Sequence, residues 1–104
     1  MPTPTNKDGF TPVFIAAQNG QVNCIRCLVK ECGANPNQTD KNGVTPLHSA
    51  AWNGHVECIR CLGKECGANP NPPADKDGRT PIGLAKDHGK EAAVQVLKEC
   101  GAKE

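Results

Sequence analysis

Two cysteine pairs carry the spacing of reactive or metal-binding thiols: Cys24-Ile25-Arg26-Cys27 and Cys58-Ile59-Arg60-Cys61. Two residues between cysteines is the interval of zinc sites and of redox-active dithiols. His48 and His55, each with a cysteine not far along the chain, suggest acid–base chemistry. Comparison of positions weakens both readings. Cys24, Cys27 and Cys32 recur as Cys58, Cys61 and Cys66, each 34 residues on (24 to 58), and Cys100 stands alone. An odd count of seven with copied spacing belongs to a repeated structural unit rather than to one site. The helical spacing of Cys24/Cys27 and Cys58/Cys61 points these thiols inward among apolar neighbours, where a buried cysteine acts as a small hydrophobe and its thiolate is disfavoured. Cys32, Cys66 and Cys100 fall at helix ends, where exposure is expected and a reactive thiol is the lesser alternative. No carboxylate pair, nucleophile elbow, phosphate-cradling glycine loop or His-Glu-x-x-His appears. Catalysis is therefore not expected, nor is a cofactor or bound metal.

The elements that position these residues are three copies of one frame. Thr11-Pro12 ends in Gly20, Thr45-Pro46 in Gly54, and Thr80-Pro81 in Gly89. Asp8-Gly9, Asn42-Gly43 and Asp77-Gly78 precede them as turn tips, since glycine supplies the positive φ of a tight turn. A period of 34 (8 to 42) and then 35 (42 to 77) marks a stacked repeat array. In each copy threonine can cap a short helix and proline fits its first turn. That helix should run to Gln18, Trp52 and Asp87. The following glycine breaks it, and a second helix carries a stripe such as Val56, Cys58, Ile59, Cys61 and Leu62. Gly33, Gly67 and Gly101 stop the second helices.

Composition agrees. The chain has 104 residues, net charge +1, 37% hydrophobic and 3% aromatic residues, which suits thin layers rather than one bulky core. Charges of both signs are mixed, so there is no basic footprint for nucleic acid, and no apolar run is long enough for a membrane span. Met1-Pro2-Thr3-Pro4-Thr5 has no leader character, and reduced thiols fit an intracellular, cytoplasmic setting.

Thr45-Pro46-Leu47-His48-Ser49-Ala50, then Gly54-His55 and Gly67-Ala68-Asn69, resemble the ankyrin repeat, and the likeness extends over about residues 5–104. It implies an all-α solenoid of stacked helix-turn-helix units with projecting hairpin-like turns. Residues 1–4 are expected to be a disordered arm, with repeats at 5–38, 39–73 and 74–104, the last a C-terminal cap. The resemblance also implies that His48 ties neighbouring turns, that His55 starts a second helix, and that His88, off the pattern, faces solvent. Departures are visible. The first two units have one residue more than the third between their glycines, which should lengthen or loosen helix two near Cys32 and Cys66. Asn35-Pro36-Asn37 and Asn69-Pro70-Asn71 place proline where pairing between turns would need a donor. Val13, Phe14 and Ile15 in the first unit could leave apolar surface open, inviting self-association through the N-terminal repeat.

Function is then expected at the surface: a protein partner docks on the turn tips and first helices. The family's variable positions fall on Phe10, Gln18 and Asn19 in the first unit. In the second they are Lys41, Asn42, Val44, Trp52 and Asn53, and in the third Arg79, Lys86 and Asp87. Trp52, the single tryptophan, is the anchor candidate; its alternative role is to fill space between helices. Two other readings are a structural spacer within a larger protein and a thiol-based zinc or redox sensor.

Overall fold

The computed structural model describes residues 11–103. Residues 1–10, with the expected arm, the first turn tip and Phe10, lie outside them. The described residues form three helical hairpins. In the first, α1 (Pro12–Gln18) is followed by α2 (Val22–Arg26), which runs on as a π-helical turn over Cys27–Glu31. In the second, α3 (Pro46–Asn53) is followed by α4 (Val56–Arg60) and a π-helical turn over Cys61–Glu65. The third pairs α5 (Pro81–Asp87) with α6 (Glu91–Glu99).

The first helices start where the sequence says. Thr11, Thr45 and Thr80 each accept the backbone N–H three residues on, and a proline opens the helix behind each. Gly20, Gly54 and Gly89 then take φ of 74°, 70° and 66°, a conformation costly for other residues, so the chain reverses at once into the second helix.

The extra residue of the first two units is absorbed as the π-turn. Cys32 N–H donates to Cys27 O at 3.1 Å, and Cys66 N–H to Cys61 O at 2.9 Å, both five residues back. In the shorter third unit Cys100 N–H reaches Val96 O, four back, at 3.0 Å. A π-turn is the usual way for a helix to take in one residue without unravelling.

The hairpins stack in two layers, α1–α3–α5 and α2–α4–α6. Between the layers, Val13, Ala16, Ala17, Ile25, Leu47, Ala50, Ala51, Ile59, Leu62, Ala85, Val96 and Leu97 make a continuous core. Alanines on the first helices let the backbones approach closely. Each fully buried leucine or isoleucine stabilises the stack by roughly 2 kcal/mol. Of the three apolar residues expected to leave surface open on the first helix, Val13 lies in this core and Phe14 is buried, while Ile15 is exposed.

The thiols divide by position. Cys58 and Cys61 are 1% exposed, as expected of inward-facing residues, but Cys24 and Cys27 are exposed. The reason is the stacking direction. α2 packs over the face of the second hairpin that carries Cys58 and Cys61, and no described element does the same for Cys24 and Cys27. Cys32 is exposed as expected, whereas Cys66 and Cys100 are half-buried.

Among the described residues there is no strand, so turn-to-turn ties come from side chains and single backbone bonds. Asn35 and Asn69 each close a local turn by accepting the N–H two residues on. Asn37 Oδ1 accepts Asn69 N–H at 2.8 Å, and Asn71 bridges Gly101 O and Lys103 N–H. Asparagine amides thus do the work that strand pairing beside Pro36 and Pro70 cannot. Arg26 grips Glu65 of the next hairpin through a fork of 3.0 and 2.9 Å, with Lys30 at 3.5 Å. No helix among the described residues is long and apolar enough to cross a membrane.

Candidate interaction groove

Turn tips and first helices meet around His48. Its backbone N–H donates to the Thr45 hydroxyl, and its Nδ1 accepts Thr45 N–H at 3.1 Å, the reciprocal pairing usually made by an N3 glutamate. With Nδ1 accepting, Nε2 carries the hydrogen and donates to Arg79 O, 2.9 Å away in the next turn. His48 is wholly buried, and burial lowers its pKa although the Arg79 carbonyl pulls the other way. It is therefore a neutral structural tie, not an acid–base group.

The tip it holds is rigid. Asp75 Oδ1 accepts the N–H groups of Asp77 and Arg79, both at 2.9 Å, and its other oxygen accepts Arg79 Nε at 2.9 Å. Burial alone would raise the Asp75 pKa; these donors and the guanidinium outweigh it, so the carboxyl stays below its usual range. In the previous tip Asp40 Oδ1 likewise accepts the N–H groups of Asn42 and Val44. The tips touch through Lys76 N–H to Asn42 O at 2.9 Å. Gly43 takes the φ of 81° that this tip requires, a conformation costly for other residues.

So braced, Arg79 lays its guanidinium 5.2 Å from the Trp52 ring centre. His88 meets the same indole with ring centres 4.4 Å apart and planes tilted by 49°. Exposed His88 thus faces solvent, as expected, but also packs on Trp52, which the sequence did not suggest. Trp52 nonetheless stays 44% exposed. It borders an open groove of about 340 Å³ with Phe14, Gln18, Val44, Asn53, Arg79 and Leu84 around it.

Of the residues singled out from sequence, the groove gathers Gln18, Val44, Trp52, Asn53 and Arg79. It does not gather Asn19, exposed at the end of α1, nor Lys41 and Asn42 at the tip. Lys86 borders a different hollow with Lys90 and Glu91, and Asp87 is exposed at the end of α5. Phe14, His48, Ser49, Asp75 and Leu84 line the groove without having been anticipated. For Asp75 the signal was present, because it matches Asp40 at the start of the preceding turn.

The family model described as Ankyrin repeats (3 copies) matches residues 2–74 and 28–104. The chain belongs to the ankyrin-repeat family. Its fold is similar to a solved human ASB11 ankyrin repeat domain, with TM-score 0.81 and 37% identity. That likeness covers 90% of this ankyrin-repeat chain and 41% of the other, so the chain spans less than half of that domain. No curated protein matches it. Ankyrin repeats are non-catalytic protein–protein interaction modules. In this ankyrin-repeat chain the thiols resist ionisation where their surroundings act on them. Burial and the neighbouring Cys66 push Cys61 up to about 12, and burial also raises Cys58 and Cys100.

Proposed function

We propose that the chain binds a protein partner through the groove of its first helices and the turn tips beside it, with Trp52 as anchor. The observation that carries this reading is a large indole held between Arg79 and His88 yet left 44% open to solvent beside a preformed hollow. A space-filling tryptophan would be sealed, whereas an anchor needs a fixed rotamer and a free face. Apolar Phe14, Val44 and Leu84 flank polar Gln18, Asn53 and Arg79, an arrangement suited to one apolar partner side chain with hydrogen bonds around it. Lys41, Asn42, Lys86, Asp87 and Asn19, which lie outside the groove, are proposed as further contacts for a partner that extends beyond it. Among the described residues no three His, Cys, Asp or Glu side chains are grouped to hold a metal ion, which favours this reading over a zinc sensor. The setting we propose is an intracellular one. Affinity capture with the isolated chain, repeated with Trp52→Ala, tests the proposal. A saturable partner that Trp52→Ala loses supports it; equal capture by both refutes it.

A second reading rests on the stacking face of the first hairpin. Ile15 is 40% exposed, but its counterparts Ser49 and Leu84 are 8% and 3% exposed beneath a preceding hairpin. Cys24 and Cys27 are open where Cys58 and Cys61 are sealed. This face suits another repeat hairpin, from the same or a second chain. Light scattering across concentrations tests self-association, which Ile15→Asp should abolish; a monomer throughout removes it.

A further inference from the structure

The two π-turns do more than absorb a residue: they set two cysteines five positions apart on one backbone frame, and in the second hairpin this brings the sulfurs side by side. In the second hairpin Cys61 Sγ and Cys66 Sγ lie 3.9 Å apart. The first hairpin repeats the geometry. Cys27 has φ −63° and ψ −48° against −61° and −50° at Cys61. Cys32 has −102° and −5° against −99° and −6° at Cys66. The bond closing the turn is likewise copied, at 3.1 and 2.9 Å. The hydrogen bond to Glu31 and that carboxylate's charge, then burial and lastly Cys32, push the Cys27 thiol up to about 11. The third hairpin lacks both the extra residue and the pair, having Val96 where the first cysteine would be. One difference separates the two pairs: Cys27 and Cys32 are both exposed, whereas Cys61 is sealed.

We propose that Cys27 and Cys32 form a reversible dithiol–disulfide site, oxidised by small-molecule disulfides of the glutathione type, with the buried Cys61–Cys66 pair spared. It is the pair made by the π-turn, not the Cys-x-x-Cys pair conspicuous in the sequence, that the backbone brings together. In the first exchange one protein sulfur attacks the S–S bond of glutathione disulfide and loses its proton, and one glutathione leaves as thiolate. In the second, the other protein sulfur attacks the new mixed disulfide, expels the second glutathione and closes the Cys27–Cys32 bond. Two protein thiols are oxidised and one glutathione disulfide is reduced to two glutathiones. The two protons released by the protein pass to the departing thiolates. Closure needs the Cys27 and Cys32 sulfurs to come to about 2.05 Å, on a backbone frame that holds the matching sulfurs of Cys61 and Cys66 at 3.9 Å. The bond would cross-link the last turn of the first hairpin's outer helix, beside the open stacking face and away from the groove.

The test treats the native full chain, dilute, with glutathione disulfide, then blocks free thiols and maps the peptides. A Cys27–Cys32 cross-link should form at least about tenfold faster than Cys61–Cys66, whose sealed sulfur reacts only on local opening. Dithiothreitol should reverse it with helicity unchanged. In Cys32→Ser the reaction should stop at a glutathione adduct on Cys27. Lasting glutathione adducts on both Cys27 and Cys32 in the wild-type chain, a dominant Cys24–Cys27 bond, or equal rates for the two π-turn pairs would each overturn the assignment. None of these readouts depends on a partner occupying the groove.

Discussion

At the scale of the residue, Trp52 and His48 do different jobs a few ångströms apart. Trp52 keeps nearly half its surface, so Trp52→Ala should weaken partner binding by about 2 kcal/mol, roughly thirtyfold in Kd, with little change in thermal stability. Calorimetric titration and a melting curve check both halves. His48 gives all its surface to the interior, and His48→Ala would strand Thr45 N–H and Arg79 O in a small cavity. A loss of about 3 kcal/mol in denaturant unfolding is expected. Its folded pKa is lowered, so the unfolded chain binds the proton more readily. The contribution of His48 is thus complete above its ordinary value of about 6.5 and is lost as pH falls below it. His48→Ala should flatten the stability profile in that window, and a profile unchanged from wild type would contradict the neutral tie. The Thr-Pro-Leu-His motif made this role legible. The indole's clamp was not legible, because Arg79 and His88 lie in another repeat and only stacking brings them to Trp52.

At the scale of the element, the second helices show how one residue is accommodated. The count between glycines announced an anomaly near Cys32 and Cys66, but not its form. A π-turn, a frayed end and a longer helix all conserve residue number, and packing chooses among them. Packing also explains Gly63, inside the second π-turn. A Cβ there would lie 2.6 Å from Cys100 Sγ and 3.0 Å from its Cβ. Gly63→Ala should therefore cost about 1–3 kcal/mol by overpacking, even though alanine is the better helix former. Adding Cys100→Ala should recover part of the loss, since the nearer of the two contacts is then gone. Urea unfolding of the single and double variants measures both, and a stabilised Gly63→Ala would show that the third hairpin can shift away.

At the scale of the molecule, the stack depends on ties between neighbouring hairpins. His55 Nε2 donates to Gln18 O at 3.0 Å, His48 to Arg79 O, and Arg26 and Lys30 converge on Glu65. The hydrogen bonds from Arg26 outweigh the opposing penalty of burial and, with its charge and with Lys30, hold Glu65 down to about 2. A depressed carboxyl stabilises the fold above its ordinary value near 4.5 and loses that contribution as pH falls toward 2. Glu65→Gln should accordingly be less stable than wild type at neutral pH and approach it near pH 2. Added salt should narrow the gap at neutral pH, because the pair is partly exposed. Chemical denaturation across pH and salt would reveal a constant difference if the fork did not couple the hairpins.

The sequence by itself determined the period, the helix starts and stops, and the family. Those features rest on local chemistry that every copy repeats: a threonine cap, a proline in the first turn, a glycine at positive φ. Only the tertiary structure decided which copies are covered. Cys24 and Cys58 have equivalent places in their repeats yet opposite exposure, because burial is a property of the neighbouring layer and not of the repeat. The groove around Trp52 has the same origin, since stacking alone brings its walls together; the meeting of Cys61 with Cys66 instead follows from the pitch of the π-turn, which the residue count did not specify.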